Sequence, residues 1–500
     1  MSRRRITWWL SGAIAATVLA PVAVLLKLGL GAQLDFGSSL LGILANSLAL
    51  AILTMACSVL IGVPLALITR YANLPGRRFW VGALSAPLAI PSYLGAFAFF
   101  AAFGPGGEIS TLSGIPIPDV QGLAGATLVM TLYTFPFVLL STRAALAGLD
   151  ASVVDAARTL GMSLPMALWR VVLPRARNGI TAGALLVALY TLSDFGTPAI
   201  MQLDTFTRII YVEYNAFGLG QAALLSLHLL GLVALLLFLE SRIRTPHERP
   251  GKPLQLSLSP VVKTLSLAIA SVILLATLAL PMAIFTLWLV RDGFGDFDPD
   301  YLVNSIYASL LAALVAIIAA LPVALASGRS GRLFERIVHL GFGVPGIVLG
   351  TALVYLGLQL NFLYQTLALL VIAYVIRFLP LAVSTLRPAM ARSGQDLGNA
   401  ARSLGASPQE AFRRVSLPLS LPGLVAGGAL VFLEAMREMP ATLMLRPTGF
   451  ETLATYLWRV YEAGYYGQGA VPGLLLMLVS GLAVILMAAG EERLTRRSRR

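Results

Sequence analysis

Twelve apolar runs, each long enough to cross a bilayer, follow one another along this 500-residue chain with mostly short polar connectors between them. About 20 apolar residues span the hydrocarbon core as a helix, which satisfies its backbone hydrogen bonds internally where no water is available. The runs lie near residues 6–27, 43–69, 79–103, 121–142, 179–200, 219–241, 262–290, 303–326, 334–358, 364–386, 419–440 and 467–489. Hydrophobic residues make up 58% of the chain and charged residues 12%, whereas soluble domains carry about 25% charged residues. A water-soluble fold is excluded. The expected fold class is an all-α polytopic membrane protein of about 12 transmembrane helices.

The net charge of +13 would suggest a polyanionic partner in a soluble protein. Its distribution says otherwise. Of the 36 Lys and Arg residues, 29 fall at the two termini or in the loops around Arg70, Arg143 to Arg177, Arg242 to Lys263, Arg329 to Arg336 and Arg387 to Arg414. Six fall on the opposite side and Arg377 lies within a run. Surplus cations mark the cytoplasmic side, so both termini are expected there, in a bacterial inner membrane. The charge is a topology signal, with membrane lipid as surroundings and no nucleic acid partner. Arg3-Arg4-Arg5 before a spanning run reads as an uncleaved first helix rather than a signal peptide. One cysteine, Cys57, excludes an internal disulfide and a cysteine metal cluster. Asp292, Asp296, Asp298 and Asp300 sit among turn residues and read as a solvated connector.

The chain also repeats itself. Asn46-Ser47 with Pro64 is echoed by Asn304-Ser305 with Pro322, and Phe135-Pro136 with Arg143 by Leu379-Pro380 with Arg387, the second echo at a shift of 244. Six spans separate the copies, so both run in the same direction, as in parallel transporter repeats. The expected division is an N-terminal tail and first helix at 1–42, a first transmembrane domain at 43–242 and a linker with the seventh helix at 243–301. A second transmembrane domain follows at 302–490, with a basic tail at 491–500.

Two matching basic loops carry the most specific signal. Asp155-Ala156-Ala157 is followed after three residues by Gly161, and after nine more by Val171-Val172-Leu173-Pro174. Asn399-Ala400-Ala401 leads at the same spacing to Gly405 and Val415-Ser416-Leu417-Pro418. Paired alanines favour helix and leave a low profile, a glycine permits a sharp turn between helices, and proline is tolerated at a helix start. The pattern resembles the EAA loop of the permease subunits of ATP-binding-cassette importers, with Asp155 and Asn399 where that family usually has Glu. Arg158 and Arg402 stand at matching positions beside the motif. The resemblance implies the type I importer permease fold, and implies that these loops dock on a separate ATPase, in two copies, one per loop.

No Gly-x-x-x-x-Gly-Lys-Ser/Thr phosphate loop occurs in the chain; Gly251-Lys252 runs into Pro253. Neither a nucleophile elbow nor a zinc-binding His-Glu-x-x-His is present, and His228, His247 and His339 are isolated. The expectation is a transport subunit that is not itself an enzyme, holds no cofactor and has no high-affinity metal site. An ion-coupled secondary transporter would also show twelve spans and repeats, but would not need paired EAA loops.

Fusion of two permease halves narrows the resemblance to ferric iron importers, with thiamine, phosphonate and polyamine importers as relatives. Ser193-Asp194-Phe195-Gly196 and Arg437-Glu438-Met439-Pro440 look like the ends of the fifth helices of the ferric iron permeases. The resemblance implies an external or lipid-anchored substrate-binding protein as a further partner. Asp194 and Glu438 correspond under the shift of 244. Carboxylates are costly at membrane depth and tend to face a cavity or a partner, and oxygen ligands suit hard cations. Two readings stand: Asp194 and Glu438, with Glu434, line the translocation path, or they cap helix ends near the external surface or pair with Arg437 and Arg208. Arg377 is expected to snorkel or to meet a helix carbonyl.

Overall fold

The computed structural model describes residues 3–29, 31, 37–116, 118–216, 218–243, 254, 259–326 and 328–482. Arg244, His247, Arg249, Gly251-Lys252, the tail 491–500 and the end of the twelfth run lie outside the described residues. What is described is a succession of helices joined by turns. Among the described residues, eight apolar runs, from Ile6–Gly29 to Pro408–Met436, form helices long and apolar enough to cross a membrane, or up to ten if each of two bent pairs is one span.

The bent pairs are the third and ninth runs, predicted as single helices. Each breaks at a proline, because the residue before proline is driven out of the helical region. Ile90 is extended, with ψ 129°, and Pro91 starts Ser92–Phe103 at 89° to the preceding segment. Pro345 plays the same part before Gly346–Gln359, where the bend is 103°. The fifth and eleventh runs also stop short of prediction. Leu173–Ser193 ends at Asp194, whose ψ of 130° leaves the helix, and the short Gly196–Ile200 follows. Leu417–Met436 is followed in the same way by Pro440–Leu445. Leu173–Ser193 opens on the polar stretch Pro174 to Asn178, which leaves fewer apolar residues than the ~20 of a full span. The twelfth run is described as a helix only through Leu482.

The chain forms two compact units, neither continuous in sequence: Met1–Asp35, Ile210–Leu230 and Asp296–Arg459 make one, and Phe36–Ile209, Gly231–Gly295 and Val460–Arg500 the other. In the first, the N-terminal helix Arg3–Gly29 packs on Gly328–Gly343 and Asp300–Leu325. In the second, Leu280–Asp292 packs on Ser92–Phe103. The opening helix of each half of the sequence is thus built into the unit made mainly from the other half.

Within each unit the same small-residue stripe brings two helices together. A Cβ added at Gly179 would lie 2.5 Å from the Ala145 side chain, and one at Gly183 would lie 2.7 Å from the Val138 backbone. Gly423 and Gly427, the equivalents under the shift of 244, meet Ala389, Thr385 and Ala382 in the same manner. Without a hydrophobic driving force between helices in lipid, close backbone approach over small residues supplies much of the packing.

Candidate functional site

The first motif loop begins where the 3₁₀ turn Leu146–Gly148 ends the helix Gly122–Ala145. Asp150 caps the next helix, Ala151–Thr159, by accepting a hydrogen bond from the Ser152 amide at 2.9 Å. Along that helix Val154 and Ala157 point into a small core with Tyr71, Leu149 and Ala167, while Asp155, Ala156 and Arg158 are exposed. One motif alanine therefore packs and the other faces outward. Gly161 takes φ +87°, and Met162 N–H reaches back to the Ala157 carbonyl as Gly161 N–H reaches Arg158. This is the paired bonding of a glycine-terminated helix.

The second loop reproduces the turn residue for residue. Gly405 has φ +93°, Ala406 N–H bonds to Ala401 O and Gly405 N–H to Arg402 O, both at 3.0 Å. After it, a π turn at Phe412–Ser416 leads into Leu417 and Pro418, as Leu168–Val172 leads into Leu173 and Pro174. The helix before the glycine differs from expectation. It is the last part of one helix, Leu367–Ser403, because Arg392-Ser393-Gly394 replaces the Gly148-Leu149-Asp150 that breaks and recaps the first copy. Ala400 and Arg402 are exposed and Ala401 half-buried; Asn399 lies in this helix, its side chain outside the described residues.

Two residues missed in the sequence stand out here. Leu160 is 82% exposed and Leu404 90% exposed, each immediately before the turning glycine. Large apolar side chains so placed are a cost unless something covers them. Their signal was available as one more identity under the shift of 244.

The two carboxylates end the broken helices. Asp194 is half-buried and accepts hydrogen bonds from the Ser92 hydroxyl at 2.6 Å and the Thr197 amide at 2.9 Å. Glu438 is buried and accepts from the Ala441 amide at 3.1 Å and from Arg377 at 2.8 Å. Both thus accept a backbone amide, three residues on, from the first turn of the short helix that follows. The arginines pair as follows. Arg437 pairs with Glu434 and Arg208 with Asp204, while Arg377 reaches the Glu438 carboxylate instead of snorkelling or meeting a carbonyl. Gly346 makes room for this pair: a Cβ there would collide with Arg377 and Glu438. In the other copy the residue after the bending proline is Ser92, and Tyr133 replaces the arginine, its hydroxyl donating to the Thr277 carbonyl at 2.9 Å.

The Asn-Ser echo has one structural meaning in both copies. Asn46 donates to the Asp204 carbonyl at 3.1 Å and Ser47 accepts from the Phe206 amide at 3.1 Å. Asn304 donates to the Glu451 carbonyl at 3.0 Å and Ser305 accepts from the Leu453 amide at 2.8 Å. Each pair clamps the loop after a broken helix to a long span. Among the described residues no group of three or more His, Cys, Asp or Glu is placed to hold a metal ion. Asp298 accepts from the Asp300 amide and Asp292 pairs with Arg291.

The model of the binding-protein-dependent transport system inner membrane component family matches the chain twice, over residues 58–245 and 312–497. The chain belongs to this family: it is a multi-pass ABC transporter permease containing two copies of the permease domain. It is similar to a Fe(3+)-transport system permease protein, FbpB 2, of Haemophilus influenzae, at 30% identity over 474 residues and 91% of each chain. About half of it is similar to a putative 2-aminoethylphosphonate transport system permease of Salmonella paratyphi A, at 25% identity over 47% of this chain and 97% of that one. A probable molybdenum ABC transporter permease of Haloferax volcanii is 29% identical over 46% of this chain and 86% of its own.

Proposed function

We propose that the chain is the translocating subunit of an importer for ferric iron, which an external substrate-binding protein delivers and separate ATPase subunits drive. The observation that carries this reading is the duplicated turn at Gly161 and Gly405, together with similarity to an iron permease along 91% of both chains. The phosphonate and molybdenum relatives match only about half of this chain.

In this reading the basic loops and both termini face the cytoplasm. One ATPase subunit docks on each loop, against the exposed side of Asp155-Ala156 and Arg158 in one copy and of Ala400 and Arg402 in the other. Leu160 and Leu404 become buried on docking. Closure of the ATPases draws the loops together, and the two six-helix halves of the repeat rock around the central path. Asp194, Glu434 and Glu438 line that path and offer oxygen donors suited to a hard cation, with Arg437 and Arg377 balancing the charges of the two glutamates.

The test is radiolabelled ferric iron uptake into vesicles holding this chain, its ATPase and its binding protein. Uptake should need all three and ATP. Competition by phosphonate or molybdate, without transport of iron, would assign the permease to an anion instead.

A further inference from the structure

Three arginines converge at one end of the spans in a way that topology alone does not require. Arg70 ends the helix Gly37–Tyr71, Arg77 begins Arg77–Ser85 and Arg143 lies in the last turn of Gly122–Ala145. All three are half-buried, and Arg143 lies within electrostatic reach of both Arg77 and Arg70. Their hydrogen bonds go to neutral groups: Arg143 donates to the Thr69 hydroxyl at 2.7 Å and Arg70 to the Ala147 carbonyl at 3.2 Å. Among the described residues no carboxylate forms an ion pair with any of the three. Like charges held together away from bulk water are costly without a counter-charge.

The other copy of the repeat removes this cost internally. Arg387, the equivalent of Arg143, is paired with Glu335. Among the described residues the first copy pairs no acid with Arg143, and it has a second feature that the cations adjoin. A shallow apolar face formed by Leu65, Ile68, Leu74, Trp80, Leu84 and Leu267 lies on the membrane-spanning helices. Thr69 is part of that face, so the residue that receives Arg143 also belongs to the apolar surface. A basic pocket between spans beside an apolar face has the two-part chemistry of a phospholipid: phosphate at the cations, acyl chain along the face.

We propose that Arg70, Arg77 and Arg143 hold the phosphate of one anionic phospholipid whose acyl chain lies along the apolar face at the half-buried Trp80. The lipid supplies the charge that Glu335 supplies in the second copy. Its hold has two parts, so losing either the cations or the apolar face weakens it.

Native mass spectrometry of the full chain released from nanodiscs of phosphatidylcholine doped with phosphatidylglycerol tests this. The wild-type chain should keep one phosphatidylglycerol through progressive delipidation. Each basic residue near a membrane surface contributes about a fivefold factor to such binding, so Arg77→Gln should lower retention about fivefold and the Arg70→Gln, Arg77→Gln pair further. Arg77→Lys, which keeps the charge, should retain the lipid, and it carries the test if the Gln variants do not fold. Trp80→Ala should lower retention with the cations intact, and Arg332→Gln, an exposed cation elsewhere, should not. Equal retention of the two lipids, or of phosphatidylglycerol by wild type and Arg77→Gln, overturns the proposal. Displacement by millimolar inorganic phosphate, with no effect of Trp80→Ala, would overturn it in favour of a small-anion site.

Discussion

Arg377 and Glu438 stand 2.8 Å apart with Gly346 beside them, at a place where the first copy of the repeat holds Tyr133, Asp194 and Ser92. One copy ties its broken helices with a buried ion pair, the other with a hydroxyl. The ion pair holds the break at Pro345 against the break at Glu438, because Arg377 comes from a span that neither break interrupts.

Removing one member of such a pair leaves the other charge buried, at a cost of about 3–5 kcal/mol. Glu438→Gln and Arg377→Met should each lower the unfolding temperature in detergent. The double replacement should recover much of the loss, because neither charge then remains unmatched. A double variant as unstable as the sum of the singles would show that the two residues act separately.

At Gly346 the expectation is steric. Ala at this position places a methyl group against Arg377 and Glu438, and overpacking of this kind costs about 1–3 kcal/mol. The mirror substitution, Ser92→Gly, should spare the packing and weaken the hydrogen bond to Asp194, costing about 1 kcal/mol. Thermal unfolding of the two single variants separates these effects.

Gly161→Val and Gly405→Val force a β-branched residue to φ near +90°, a conformation disfavoured for L residues by at least 1–2 kcal/mol. No heavy atom stands within 4 Å of either missing Cβ, so the strain is local and the global unfolding temperature should change little. Retention of the ATPase on co-purification should fall, and fall most in the double variant. Wild-type stoichiometry in the double variant would remove these turns from the coupling.

Leu160→Asp and Leu404→Asp change side chains that are 82% and 90% exposed. Stability should shift by less than about 0.5 kcal/mol, as is usual at such surfaces. Affinity for the ATPase should drop, since truncating a side chain at a docking centre costs about 1 kcal/mol or more. Unchanged affinity would leave both leucines without a role.

Asn46→Ala and Asn304→Ala each open one clamp on the loop after a broken helix. Hydrogen exchange at Phe206 or Leu453, respectively, should accelerate in the matching copy alone, by the several-fold factor expected for about 1 kcal/mol. Acceleration in both copies would mean that the clamps are not independent.

The spans were legible because apolar runs of bilayer length have few alternatives, and the turns at Gly161 and Gly405 because only a few residue patterns end a helix so sharply. The bends at Pro91 and Pro345 had a local signal too, since each residue before proline resists helix, but a run of unbroken hydropathy conceals it. Partners are harder. Arg377 and Glu438 are 61 positions apart, and nothing local to either names the other. Asn46 and Asn304 were visible as a repeat, yet their job depends on backbone groups some 150 residues later.

The mixed composition of the two units sets a constraint on biosynthesis. The N-terminal helix packs on Gly328–Gly343, which leaves the ribosome about 300 residues later, or tens of seconds at about 5–20 residues per second. For that interval the first helix waits in the bilayer without most of its permanent neighbours. A nascent chain stalled before residue 328 therefore carries an orphan helix, and quality control that senses unassembled spans should act on it.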